Sequence, residues 1–274
     1  MADRTEILRE LGLLPLWHLR RPVSTPGQTR PAAEETATAS ATGALAKDKA
    51  PTLPRAPGPS ADRVQHIATL GWPEFAADVA ACTACGLCKT RNMTVPGVGD
   101  VHAQWLFVGE APGAEEDARG EPFVGQAGRL LDNILAALGM RRGQNVYIAN
   151  VLKCRPPGNR TPTPLEAEAC RPYLDRQIKL LAPAIIVALG RSAATTLLNV
   201  DASIASLRGR VHLYQGVPVI VTYHPAYLLR NLPDKAKAWE DLCLARATVR
   251  RLQSESEGGV GLQTAAAGPI LKPN

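Results

Sequence analysis

Gln104-Trp-Leu-Phe-Val-Gly109 is a short apolar run, and Glu110-Ala111-Pro112-Gly113 breaks it at once. A run of that length, closed by Gly and Pro, reads as a buried strand followed by a polar loop. Three more runs share the form: Asn145-Val-Tyr-Ile-Ala-Asn150, Ala184-Ile-Ile-Val-Ala-Leu189 and Val217-Pro-Val-Ile-Val-Thr222. Helical patterns separate them. Leu130, Leu131, Ile134, Leu135 and Leu138 keep a helical period. Thr163-Pro-Leu-Glu166 is a capping box with Pro at the first helical position. The helix it opens carries Cys170, Leu174, Ile178 and Leu181 on one face, and a last helix from Asp234 to Arg251 turns Trp239, Leu242, Cys243 and Val249 inward. Strands alternating with helices imply an α/β domain, residues 64–252, with a parallel sheet covered on both faces.

The rest of the 274 residues reads differently. Ile7, Leu8, Leu11 and Leu14 share a helical face in an N-terminal arm, residues 1–21. Residues 22–63 are rich in Pro, Ala and Thr and read as a disordered linker. Two readings stand for the arm: it folds back on the domain, or it docks a partner protein. Residues 253–274 read as a flexible tail. Hydrophobic residues make up 45%, enough for a core, and the net charge of +6 gives a mild bias towards polyanions. No apolar run approaches the roughly 18 residues of a membrane helix. The first ten residues carry acids and no apolar h-region, so no signal peptide is read. A cytoplasmic, nucleoid-associated protein is expected. Thiols stay reduced there, and metal ligation is favoured over disulfides.

The cysteines fit that setting. Cys82-x2-Cys85 lies far upstream of Cys154-x15-Cys170. Four thiolates from two distant segments can hold one centre and pin the segments together. Soft thiolates select zinc or an iron–sulfur cluster. The long second gap does not match the short knuckle of most zinc modules, which favours iron–sulfur over zinc. Six unrelated buried cysteines are the bland alternative. The strand ends are equally polar. Ligands of such sheets bind beyond the carboxyl ends of the strands. The four runs end in Gly109-Glu110, in Asn150, in Gly190-Arg191-Ser192 and in Tyr223-His224-Pro225.

Several motifs carry a closer resemblance. They are Gly109-Glu-Ala-Pro-Gly113, Glu116-Asp117, Gly120-Glu-Pro-Phe123-Val-Gly125, Asn150-Val-Leu-Lys-Cys154-Arg-Pro-Pro-Gly-Asn159-Arg160 and His224-Pro-Ala-Tyr-Leu-Leu229. In this order they closely resemble the family 4 (type-4) iron–sulfur uracil-DNA glycosylases, over about residues 72–248. The resemblance implies a three-layer α/β/α sandwich with a four-stranded parallel sheet. It implies a [4Fe–4S] cluster on Cys82, Cys85, Cys154 and Cys170. Cys88, which extends the first pair, departs from the family pattern and reads as a spare thiol beside the cluster. The activity implied is flipping uracil out of DNA and hydrolysing its N-glycosidic bond, by a monomer acting on uracil-containing DNA.

The same resemblance implies residue roles. Phe123 stacks on the base. Asn150 reads its edge, because a carboxamide offers a donor and an acceptor together. His224 donates to O2 as negative charge develops there. Glu110 orients water or stabilises the cationic sugar, Ala111 lends backbone near the base, and Glu116 blocks a thymine methyl. Lys153, Arg155, Asn159, Arg160, Arg191 and Arg230 are expected to contact DNA, with Leu228 or Leu229 wedged into the gap left by the flipped base. A metal-stapled DNA-binding module without catalysis would not need Asn150, Phe123 and His224 together. A relative that traps abasic sites covalently uses an inserted Arg-rich loop, and Leu207-Arg-Gly-Arg210-Val-His212 shows no such insertion.

Overall fold

A computed structural model describes residues 59–260. The N-terminal arm and nearly all of the linker lie outside the described residues, as does the tail beyond Val260. Six strands form one sheet: β1 (Val98–Gly99), β2 (Trp105–Gly109), β3 (Val146–Asn150), β4 (Ile185–Leu189), β5 (Val211–Tyr214) and β6 (Val217–Thr222). Their order is β1-β3-β2-β4-β6-β5. The four strands expected from the sequence are the central ones, and they run parallel. The expected four-stranded parallel sheet is nevertheless corrected to a mixed sheet of six. β1 pairs antiparallel with β3, and β5 with β6. Neither edge carries an apolar run: β1 has two residues, and much of β5 is exposed.

Alternation along the strands builds two cores. Successive side chains of a strand point to opposite faces. Leu106, Val108, Ile186, Ala188, Val219 and Val221 face one layer. That layer holds α5 (Pro164–Leu181) and α6 (Arg191–Leu198). Trp105, Phe107, Ile185, Val187 and Ile220 face the other. There α4 (Gln126–Ala137) brings Leu131 and Leu135, and α9 (Asp234–Val260) brings Leu242, Ala245 and Val249. Two N-terminal helices, α1 (Ala61–Thr69) and α2 (Trp72–Ala81), pack Ile67, Phe75 and Val79 against Tyr173 of α5. Short α3 (Ala114–Arg119), α7 (Ile204–Leu207) and α8 (Pro225–Leu228) complete the element order. Among the described residues no helix is long and apolar enough to cross a membrane.

The helix ends follow their chemistry. Thr163 Oγ1 accepts from the Glu166 amide at 3.2 Å, and Glu166 Oε2 accepts from the Thr163 amide at 2.9 Å. This is the capping box read from the sequence. The last helix is longer than expected, and its inward face differs. Trp239 is 39% exposed, whereas Ala238, Asp241, Leu242, Ala245 and Thr248 are buried. Asp241 draws the face inward: its carboxylate accepts from Arg208 Nε at 3.0 Å and from the Gly209 amide at 3.1 Å.

Leu135 tests the second core, being 0% exposed between α4 and the sheet. Leu135→Ala should cost about 2–5 kcal/mol in urea unfolding, the usual range for a buried leucine that leaves a cavity. A cost well below 1 kcal/mol would mean that this face is not packed as described.

Candidate active site

The four parallel strands end together at Gly109, Asn150, Leu189 and Thr222. Beyond that rim lies a pocket of about 400 Å³. Glu110, Ala111, Glu116, Phe123, Asn150 and His224 all line it, so every residue assigned to the base is brought to one place.

Asn150 closes β3 and is 2% exposed. Its Oδ1 is buried and has no hydrogen-bond partner among the described residues. Such an atom costs free energy unless a ligand supplies a donor. Phe123 sits in a left-handed conformation at φ 56. Arg142 holds this turn, donating from Nη1 to the Pro122 carbonyl at 2.9 Å and from Nη2 to the Phe123 carbonyl. Gly128 of α4 lets the turn dock, since a Cβ there would stand 1.7 Å from the Phe123 carbonyl oxygen. The rings of Phe123 and His224 face each other with centroids 5.5 Å apart.

His224 caps α8. Its Nδ1 accepts from the Ala226 amide at 3.1 Å, so the proton of the neutral ring resides on Nε2. Burial, helped by the nearby Arg230 cation, pulls its pKa down to about 4. The ring is therefore neutral at pH 7 and offers an N–H donor. Gly190, at φ +92, leaves room for it: a Cβ there would meet the His224 Cβ at 2.9 Å.

The two glutamates differ. Glu116 accepts from the Gly113 amide at 3.1 Å, and from the Val124 and Gly125 amides at 3.0 and 3.2 Å. Both of its oxygens thus tie the loop after β2 to the loop of Phe123. Glu110 is half-buried. Burial pushes its carboxyl above the usual range, and a hydrogen bond with Ser192 partly offsets this. It lines both the base pocket and the groove beside α5 and α6.

A second site lies behind the strand ends. Cys82, Cys85, Cys88, Cys154 and Cys170 line one cavity with Arg91 and Lys153. All are free cysteines. Arg91 Nη1 donates to Cys154 Sγ at 3.2 Å, the Lys153 amide to Cys170 Sγ at 3.3 Å, and Arg63 Nη2 to Cys82 Sγ at 3.5 Å. Donors to sulfur favour the thiolate. Burial opposes it, raising Cys85 and Cys154 and pushing Cys170 up to about 12. The Arg91 and Lys153 cations oppose that effect in part, lowering Cys154 and Cys170 respectively. Among the described residues no three such side chains are drawn together for a single metal ion. The five thiols instead line a common cavity of about 20 Å³.

A family model for the uracil DNA glycosylase superfamily matches residues 96–243. The type-4 uracil-DNA glycosylase of Archaeoglobus fulgidus is 48% identical over 164 residues, 57% of this chain and 82% of the relative. That of Thermotoga maritima is 45% identical over 177 residues, 63% of this chain and 92% of the relative. The chain belongs to the type-4 uracil-DNA glycosylase family. A type-5 uracil-DNA glycosylase of Pyrobaculum aerophilum is less similar, at 34% over 155 residues, covering 50% of this chain and 67% of the relative.

The expected DNA contacts of this glycosylase fare unevenly. Asn159, Arg160 and Arg230 line the mouth of the base pocket. Arg155 Nε donates to Asn159 Oδ1 at 2.7 Å. Arg160 grips Glu166 through two bonds of 2.8 and 2.6 Å, and Arg191 pairs with Asp201 at 2.7 Å. Two assignments are corrected. Lys153 is 1% exposed and cannot reach a phosphate. Its ammonium points inward to backbone and side-chain oxygens. Leu228 is 1% exposed, in a cluster with Tyr223 and Ala238, and cannot wedge into DNA. Leu229, 41% exposed, and Leu232, 60% exposed, present apolar tips beside the pocket. Sequence reading missed Arg142 and Gln177, whose partners lie far along the chain. Gly109 and Gly190, which end or follow strands, carried a local signal.

His224 generates a pH prediction. The unfolded chain takes up the imidazole proton near pH 6.5 and the folded chain near 4. Between those values the unfolded state binds more protons, so acid favours unfolding. Wild type should lose about 3 kcal/mol more stability between pH 7 and pH 4 than His224→Gln, which has no proton to gain there. Parallel stability curves in urea unfolding would show that His224 is not held neutral.

Proposed function

We propose that this chain flips uracil out of DNA, reads it in the pocket at the strand ends and hydrolyses its N-glycosidic bond. The observation that carries the reading is the buried, unpaired Oδ1 of Asn150. Uracil presents N3–H to such an acceptor, and its O4 can accept from the amide of the same side chain. Cytosine presents the opposite pattern and would leave buried groups unpaired, which discriminates strongly. The target must leave the stack to reach this pocket. Phe123 supplies the ring on which the base lies.

As the bond to the sugar breaks, the departing base becomes an anion with charge on O2 and O4. His224 Nε2–H is the donor for O2. A neutral imidazole holds that charge by hydrogen bonding without first having to lose a proton. An interaction that strengthens as charge develops lowers the barrier rather than only tightening binding. Glu110, at the edge of the pocket, orients the attacking water or stabilises the positive sugar. Glu116 holds the two loops that bound the base and lines the pocket where a thymine methyl would enter.

Cys82, Cys85, Cys154 and Cys170 would hold a [4Fe–4S] cluster, with Cys88 a fifth thiol at the same cavity. The cluster supplies a covalent staple between distant segments, and hydrolysis asks no electron of it. Arg155, Asn159, Arg160, Arg191 and Arg230 position the DNA backbone, and Leu229 takes the wedge role. The protein acts as a monomer.

Incubation with a uracil-containing oligonucleotide, followed by alkali, should give cleavage at the uracil. Intact oligonucleotide at enzyme excess would overturn the reading. His224→Ala should slow base release by about 10²–10³, the scale of one lost oxyanion donor, with DNA binding little changed. Equal losses in binding and rate would move His224 to a ground-state role. The purified protein should be brown, and Cys154→Ser should lose colour, iron and stability together. A colourless wild type holding one zinc would remove the cluster.

A further inference from the structure

One buried cation has no part in the scheme above. Lys153 is 1% exposed and among the largest fully buried side chains. Its Nζ donates to the backbone carbonyl of Asn150 at 2.7 Å and to Gln177 Oε1 at 2.5 Å. Gln177, 0% exposed, donates in turn to the Pro96 carbonyl at 2.7 Å. Both acceptors of the ammonium are neutral. A buried cation on neutral partners is expensive, and an apolar side chain of similar length usually serves stability as well or better. The neighbouring Cys154 and Cys170 thiols favour the Lys153 charge only when ionised, and the two acceptors alone give no reason for a lysine.

The position of its partners does. Asn150 is the last residue of β3, and the chain then leaves regular structure. The amides of Val151 and Leu152 donate to the Gly109 and Glu110 carbonyls at 2.9 and 3.1 Å. The Asn150 carbonyl is held by the ammonium three residues on. That bond constrains the backbone that aims the Asn150 carboxamide. At its other end Lys153 is tied to the cysteine cavity: its amide donates to Cys170 Sγ at 3.3 Å, and Cys154 follows it. The one residue thus spans the space between the thiols and the base-reading amide.

We propose that Lys153 is a positioning residue for base recognition, fixing Asn150 in place from the cysteine side. The inference rests on the uracil-excision reading. A carboxamide shifted by about 1 Å is enough to cost on the order of 10²-fold in rate. Residues that act as one unit do not lose activity independently.

The test uses the full-length, iron-loaded protein as wild type, Lys153→Met, Asn150→Ala and the double variant. Single-turnover uracil release, inhibition by free uracil, iron content and melting temperature are measured. Lys153→Met should keep its iron and melt near wild type, yet release uracil about 10²-fold more slowly. Inhibition by free uracil should weaken with it. The double variant should be about as slow as Asn150→Ala alone. An unchanged rate in Lys153→Met, losses that multiply in the double variant, or a loss of iron that tracks the loss of rate would each overturn the proposal. If Lys153→Met does not accumulate as folded protein, Gln177→Leu takes its place. It removes the second anchor and leaves the ammonium, and a multiplying loss with Asn150→Ala again overturns the proposal. A wild type that releases no uracil would instead sink the excision reading, and is judged on the wild type alone.

Discussion

At Gly109 three segments meet with no room for a methyl group. A Cβ there would stand 2.4 Å from Asn150 Oδ1 and 2.6 Å from Phe123 Cζ. Gly109 and Asn150 are also register partners across β2 and β3. The Asn150 carboxamide and the Phe123 ring therefore rest directly on the end of a central strand. Phe123 tolerates its left-handed backbone because its surroundings over-determine it. Arg142 holds its carbonyl, Gly128 lets α4 close on it, and Glu116 binds the two following amides. Groups locked this way need little reorganisation when a ligand arrives, which is what a recognition pocket requires.

The pocket pairs this rigidity with opposite protonation tendencies. Burial drives His224 towards its neutral form and raises Glu110. The same low-polarity surroundings thus weaken both charges, yet leave an N–H donor on the histidine.

Much of this was legible in the sequence, for identifiable reasons. The central strands declared themselves because burial on both faces demands unbroken apolar runs. Asn150, Glu110 and His224 stood out because polar residues at the ends of such runs converge by topology. The failures were equally physical. Lys153 lies between Asn150 and Arg155 in a basic stretch, and nothing local shows that the chain turns it towards Gln177 on α5. Leu228 and Leu229 are equivalent as letters; the α8 turn buries the first against α9 and exposes the second. Trp239 was placed inward on hydrophobicity, but Arg208 and Gly209 bind Asp241 and set the face of the helix. For Lys153 and Trp239 the deciding partners are more than twenty residues away, and for Leu228 the partner is on the next helix.

The same topology explains why a thiol site sits so close to a base pocket. Beyond Leu152, whose amide still bonds the Glu110 carbonyl, the chain has no regular structure until α5 begins at Pro164 except a short 3₁₀ turn at Pro157–Asn159. That loop carries Asn159 and Arg160 to the pocket mouth. Cys154 stands at its start and Cys170 lies just past its end, within the second turn of α5. The cluster proposed above would tie both points to Cys82 and Cys85 and so remove chain entropy that a long irregular segment would otherwise retain. The thiol cavity and the pocket are neighbours because Asn150, at the end of its strand, and Cys154 are four positions apart, with Lys153 between them bonded to the Asn150 carbonyl and to Cys170 Sγ.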